Sequence, residues 1–172
     1  MIDIVQFPVD MKDPLVSHLG FNTFLLARDL RIVYGGSDEL KNMRMLNNPS
    51  VDIFFVPHAL SRRDHLHWRS SGVDETMIKL AKKHSIAIGF RFDLILQVDG
   101  VQRAQLLGRI MQTIRLCHKY NVRMVLCSFA TDVYGLRNAS DLQGLGRLLG
   151  MTPLEAKQAI SFTRKHLGVR FL

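Results

Sequence analysis

Two groups of side chains in this sequence have types and spacing that could do chemistry. His65-Leu66-His67 would set two imidazoles on one side of a strand, because alternate residues face the same way, and paired imidazoles are metal ligands. His58 lies just ahead of them, with His84 and His118 further on. A metal-dependent hydrolase needs more than this pair, with carboxylates and histidines at later strand ends. Those ends offer Ser128 after one strand, and Arg91 and Asp93 near another. The second group is arginine. Arg62, Arg63 and Arg69 share a loop with the histidine pair and Trp68. A guanidinium is a planar fork that makes paired hydrogen bonds to phosphate oxygens. Trp68 could stack on a base, but a lone loop tryptophan more often packs on its own domain.

Charge placement points the same way as the arginines. Residues 101–172 carry 11 Lys and Arg against 3 Asp and Glu, so the whole net charge of +8 lies there. Residues 1–100 balance at 12 against 12. A concentrated positive charge favours a polyanion, because each neutralised phosphate releases counterions. The 172 residues suit one domain with a sizeable core. No apolar run is long enough to span a bilayer, and the front lacks the order of a signal peptide, so an intracellular protein is expected. Cys117 and Cys127 fall in an expected helix and strand, as small buried hydrophobes rather than a disulfide or metal pair. Gly35-Gly36 lacks the remaining residues of a phosphate-binding loop.

The elements that must position these groups alternate along the chain. Ile2–Phe7 and Thr23–Ala27 are possible strands, with turn residues Asp10, Lys12, Asp13 and Pro14 between them. Strands are expected at 31–34, 52–56, 86–90 and 122–128, each apolar throughout, as in a parallel sheet buried on both faces. Helices follow. One is capped by Ser37, with Asp38 and Glu39 in its first turn, and runs to about Leu46; a second runs from an Asp74 cap to Lys83. A third runs from an Asp99 cap to about Tyr120. Leu106, Leu107, Ile110, Met111, Ile114 and Cys117 form its core stripe, with Arg109 and Arg115 on the borders free to reach outward. Ser140–Gln143 and Thr152–Glu155 fit capping boxes, Pro153 suits a first helical position, and Gly150 suits a helix C-terminus. Leu142, Leu145 and Leu149 make a buried stripe, where Gly144 and Gly146 would permit close packing. Strand–helix repetition implies a parallel sheet covered by helices, either doubly wound or closed into a barrel. A full eight-fold barrel usually needs ~250 residues and rarely fewer than ~200, so a barrel here would be compact or incomplete.

A longer pattern runs through Ala130, Arg137, Asp141, Leu142, Leu145, Gly146, Gly150, Met151, Ala156 and Lys157. In order and spacing it resembles the protein component 3 family of archaeal and eukaryotic ribonuclease P. The match covers roughly Ile32–Phe162, including Asp52–Pro57, the Arg62-Arg63-Asp64 loop, Ile86–Phe90, Arg103-Ala104 with Leu107 and Arg109, and Tyr120–Arg123. It departs at residues 1–30, where family members usually carry a further strand–helix portion, and Tyr134-Gly135 is a small local variation. The resemblance implies a single domain over 1–172, with an α/β fold: a compact or incomplete TIM-like (PHP-like) barrel of parallel strands with outer helices. It implies a cytoplasmic, more archaeal than eukaryotic, non-catalytic subunit of the ribonuclease P endonuclease. That ribonucleoprotein removes the 5′ leader of precursor tRNA through a catalytic RNA. Partners would be the ribonuclease P RNA, precursor tRNA and protein component 2, with components 1 and 4 in the holoenzyme and no membrane. No cofactor would be bound by the protein, and the metal ions would sit at the RNA's active site.

The resemblance and the charge asymmetry together nominate Arg62, Arg63, Arg103, Arg109, Arg123, Arg137 and Lys157 as RNA-binding residues, with no catalytic residue and no metal ligand in the protein. Arg137 has a structural alternative, an ion pair with Asp141 across a helix start. Two other function classes remain open at this point. A metal-dependent phosphoesterase of the polymerase-and-histidinol-phosphatase type would use the histidines, although that type places its His-x-His at the first strand and here it lies mid-chain. A protein-interaction scaffold would use an open sheet edge that needs a partner's cover.

Overall fold

The computed structural model describes residues 1–57, 64 and 69–162. Its strands are β1 (Ile2–Val5), β2 (Thr23–Leu26), β3 (Ile32–Tyr34), β4 (Ile53–Phe55), β5 (Ala87–Arg91) and β6 (Met124–Cys127). Its helices are α1 (Pro14–Ser17), α2 (Glu39–Leu46), α3 (Glu75–Lys83), α4 (Asp93–Leu96), α5 (Gly100–Tyr120), α6 (Ala139–Leu148) and α7 (Pro153–Ala159). All ladders are parallel: β1 pairs with β2, and β3-β4-β5-β6 form a second sheet. The chain just past β6 joins the two sheets. Phe129 N donates to Ile4 O (3.0 Å) and Gln6 N to Ala130 O (2.8 Å).

The alternation of side chains along these strands shows a barrel wall. One face of every strand contributes to a single inner cluster: Ile4, Leu25, Ile32, Ile53 with Phe55, Ala87, and Val125 with Cys127. The residues between them, such as Val33, Phe54, Ile88, Phe90, Met124 and Leu126, pack against the helices. Among the described residues no ladder joins β2 to β3, so the wall is open there and the barrel is incomplete. Gly89 is needed on the inner face, since a Cβ there would stand 2.5 Å from the Phe55 ring and 2.8 Å from Ile53 Cγ2.

Local signals place most helix ends. Asp74 Oδ1 accepts from Met77 N (2.7 Å), and the Thr152–Glu155 box forms in both directions (3.2 and 2.8 Å) with Pro153 behind it. Gly150 adopts φ +107 after α6; its N–H reaches Arg147 O and Met151 N reaches Gly146 O, the paired bonds of a left-handed helix stop. Two caps differ from expectation. Asp38, not Ser37, caps α2 by accepting from Lys41 N (3.1 Å). Asn138 caps α6 by accepting from Ser140 N (2.8 Å), so the helix starts before the Ser140–Gln143 box. Asp99 occupies the cap position of α5 without a side-chain cap bond. The single-turn helices α1 and α4 carry no period that a sequence could show.

Gly146 packs closely, with its notional Cβ 3.1 Å from Met151 Sδ and 3.5 Å from Leu126 Cδ2. Gly144 does not, having nothing within 4 Å of a Cβ. Gly144→Ala should therefore stabilise the protein by about 0.5–1 kcal/mol by lowering backbone entropy in the unfolded chain. A thermal melt checks this, and a lower midpoint would show that position 144 needs glycine for another reason.

Candidate nucleic-acid interface

The carboxyl ends of the strands converge on a stoppered mouth. Tyr34 ends β3, Phe55 ends β4, and Phe129 lies two residues past β6. The Tyr34 and Phe55 rings stack at 5.8 Å and 19°, and the Phe129 ring meets Phe55 edge-on at 5.0 Å. Arg91, the last residue of β5, lays its guanidinium 4.3 Å from the Phe129 ring centre and 5.9 Å from that of Tyr34. Asp93 fixes it with a two-pronged pair, Nε to Oδ1 (3.0 Å) and Nη2 to Oδ2 (2.5 Å). Asp93 N in turn donates to Ser128 O. Phe129 holds a left-handed φ of 52, fixed by its N–H on Ile4 O and by Gln6 Nε2 on its carbonyl (3.0 Å). In barrel enzymes this end holds the chemistry; here aromatic rings fill it.

Below the mouth, Asp3 is buried and joins β1 to β6. Its Oδ1 accepts from Ser128 N (2.8 Å) and Ile4 N (2.9 Å), and its Oδ2 accepts from Ser128 Oγ (2.5 Å). Burial pushes its carboxyl up to about 6, and the Ser128 and Ile4 bonds offset part of that rise. Cys127 and Cys117 are buried free thiols, pushed up by burial. Among the described residues no group of three or more His, Cys, Asp or Glu is placed to hold a metal ion. His58, His65, His67 and Trp68 lie outside the described residues, as do Arg62 and Arg63.

The structure separates the other nominated side chains. Arg109 does not reach outward: it is 0% exposed, on the face of α5 that also buries Leu106, Ile110 and Thr113. Its Nε and Nη2 bind Asp64 Oδ1 at 2.9 and 2.8 Å. Asp64 Oδ1 also accepts from Ser70 N (2.9 Å), and Arg69 Nη1 stands 3.7 Å from Oδ2. Partial burial would raise the Asp64 carboxyl, but these bonds and the arginine charges hold it below its ordinary value. Arg69 is also tied to α5 through Gln112, by bonds of 2.8 and 3.0 Å. Arg109 thus anchors Asp64, and with Gln112 it ties the described part of the segment between β4 and α3 to α5. A helical position three residues past Leu106 falls on the same side, so its inward direction is compatible with the stripe; the distant Asp64 helps make an arginine tolerable there.

Arg137 sits past the carboxyl end of β6. Its Nη1 donates to the Tyr134 and Leu136 carbonyls (3.0 and 2.6 Å), and its guanidinium stands 5.1 Å from the Phe92 ring centre. It therefore fixes its own loop through backbone carbonyls, not through Asp141. Arg103, in the first turn of α5, is exposed and donates to Val98 O (2.8 Å). Arg123 lies before the amino end of β6, on the opposite side of the barrel, half-buried with Nη2 on Ser85 O (2.9 Å). It lines a cleft with Asn121, Glu155 and Gln158, and Lys157 is exposed on α7 beside that cleft. Sequence reasoning missed Arg91 with Tyr34 and Phe129 as a unit. Its one signal was an arginine closing an otherwise apolar strand, two residues before an aspartate.

The family model described as RNase P subunit p30 matches residues 8–167, beginning ahead of Ile32. Ribonuclease P protein component 3 of Methanosarcina acetivorans is 33% identical over 150 residues, covering 87% of this chain and 59% of that protein. The protein of the same name from Methanosarcina mazei is 30% identical over 156 residues, covering 91% and 62%. The chain therefore spans about three-fifths of the length of the curated relatives it matches. A chain in the cryo-EM structure of archaeal ribonuclease P with mature tRNA shares the fold, with a TM-score of 0.78 at 22% identity over 98% of this chain and 90% of that one. The wall of parallel strands, its outer helices and the matched span agree: the chain belongs to the RNase P subunit p30 family.

Proposed function

We propose that this chain acts as a protein subunit of ribonuclease P, assisting a catalytic RNA that removes the 5′ leader from precursor tRNA. It binds that RNA and the component 2 protein, works with components 1 and 4 and precursor tRNA in the cytoplasm, and supplies charge and shape rather than acid–base groups. The observation that carries this reading is family membership together with the filled mouth. Where a barrel enzyme would hold its substrate, this one holds Tyr34, Phe55 and Phe129 under a paired Arg91. Among the described residues β2 and β3 each leave one edge unpaired, which supports a protein partner. Among the described residues no helix is long and apolar enough to cross a membrane. Among the described basic residues, Arg103 and Arg137 are RNA-facing candidates at the carboxyl end, Arg123 and Lys157 are candidates at the amino end, and Arg109 holds Asp64 in place; Arg62 and Arg63 remain candidates on sequence alone.

Purification of the tagged chain from its native cell, with sequencing of the bound RNA, tests the subunit reading. Recovery of a ribonuclease P RNA with a component 2 protein is expected; clean protein with bound metal would sink it. Changing Arg62 and Arg63 together to Ala should lower the slope of log affinity against log salt by up to about 2, at ~0.9 per lost phosphate contact. An unchanged slope would remove both from the interface.

A further inference from the structure

The rim of the mouth presents flat aromatic surface beside the Arg91 guanidinium, whose charge Asp93 already meets. Tyr34 remains 48% exposed although it ends a strand whose partner is buried throughout. Its ring rests on Phe55 and is flanked by Phe129 and Arg91, so it cannot turn away without disturbing three neighbours. On the same rim Tyr134 is 82% exposed, and the Arg137 bound to its carbonyl lies over Phe92.

We propose that this rim binds an unpaired nucleobase, stacked on Tyr34 beside the Arg91 guanidinium. The proposal rests on the RNA-subunit reading and deepens it by naming what part of an RNA the mouth takes. Asp93 meets Arg91 with two hydrogen bonds, so the site is not a phosphate cradle; a carboxylate there repels an anion. Phe55 and Phe129 occupy the space beneath the Tyr34 ring, so what the platform presents there is a flat face. What fits a supported, half-exposed aromatic ring next to a neutralised guanidinium plane is a flat, polarisable, uncharged group. Bases freed from pairing in loops and bulges are such groups, and they stack on both aromatic rings and arginine planes. The platform is also rigid, because its members come from β3, β4, β5 and the β6 end and are locked by Asp93 and the Phe129 backbone. Little side-chain freedom is left to lose on binding.

The test uses the full chain with two probes: a short single-stranded RNA carrying 2-aminopurine, and a blunt RNA duplex. Binding of the single strand should quench 2-aminopurine emission. Tyr34→Ala should weaken single-strand binding on the order of tenfold, the loss of one stacked base. Tyr34→Phe should retain it, and duplex affinity should not change. Tyr34→Leu keeps apolar contact with Phe55, so its loss of single-strand binding at an unchanged melting temperature separates stacking from unfolding. Wild-type affinity in both the Ala and Leu variants overturns the platform, as does duplex binding without single-strand binding; the subunit reading survives either result. If neither RNA binds, both readings fall and the rim is a contact for protein.

Discussion

Arg109→Ala should lower the unfolding free energy by about 3 kcal/mol or more, near the lower end of what breaking a buried ion pair costs. Arg109 is fully buried and places two nitrogens on one oxygen of Asp64. Alanine would leave a cavity beside α5 and a carboxylate without its main partner. Asp64 keeps a side-chain exposure of 21%, so water could solvate part of the orphaned charge, which is why the lower end applies. Arg109→Lys should not rescue it, since a point charge cannot place two donors on Asp64. Arg103→Ala is the control; its exposed hydrogen bond to Val98 O predicts a change within about 0.5 kcal/mol. Urea unfolding of the three variants decides the matter. A loss below about 1 kcal/mol for Arg109→Ala, with a flatter salt dependence of RNA binding, would return Arg109 to the RNA-contact set.

The second large effect is pH-dependent and comes from Asp3. Its folded carboxyl titrates at about 6 against an ordinary 3.8, because burial penalises the charged form. The folded state therefore holds a proton that the unfolded state releases between these values. Stability contributed by that proton is fully present below about pH 4 and is lost as pH rises to about 6. At ~1.4 kcal/mol per unit the loss is about 3 kcal/mol. Asp3→Asn keeps the acceptor for Ser128 N and Ile4 N and turns the other atom into a donor for Ser128 Oγ. The difference in stability, Asn variant minus wild type, should rise across this window and stay constant above it. Comparing the two removes the opposite contributions of Asp64 and Glu155, whose carboxyls are held below their ordinary values. A flat difference between pH 4 and 7 would mean that Asp3 is charged and satisfied throughout.

Much of the frame was legible because its signals are local. Asp74, the Thr152–Glu155 box and Gly150 end or begin their helices as read, since a cap depends on three or four neighbouring residues. Apolar runs at β4, β5 and β6 read as parallel strands because helices cover one face and the inner cluster the other. Local rules failed where two local solutions compete. Ser37 and Asp38, or Ser140 and Asn138, can each cap a helix, and the register of the preceding strand or loop decides between them. Gly144 and Gly146 look alike in sequence, yet only Gly146 faces Met151 and Leu126.

By itself the sequence determined the order of the main strands and helices, the concentration of positive charge in residues 101–172, and membership of a family through spaced residues between Ala130 and Lys157. These depend on composition, period and spacing, which a chain carries before it folds. Tertiary structure alone decided what the charged and aromatic residues do. Arg109 turns inward because Asp64, 45 residues away, meets it there. Tyr34, Phe55, Arg91 and Phe129 become one platform because parallel strands bring their carboxyl ends to the same rim. Arg123 and Arg137, close in sequence, end on opposite sides of the barrel because β6 runs between them. Such groupings follow from strand register and wall curvature, which join residues far apart in the chain and leave no local trace.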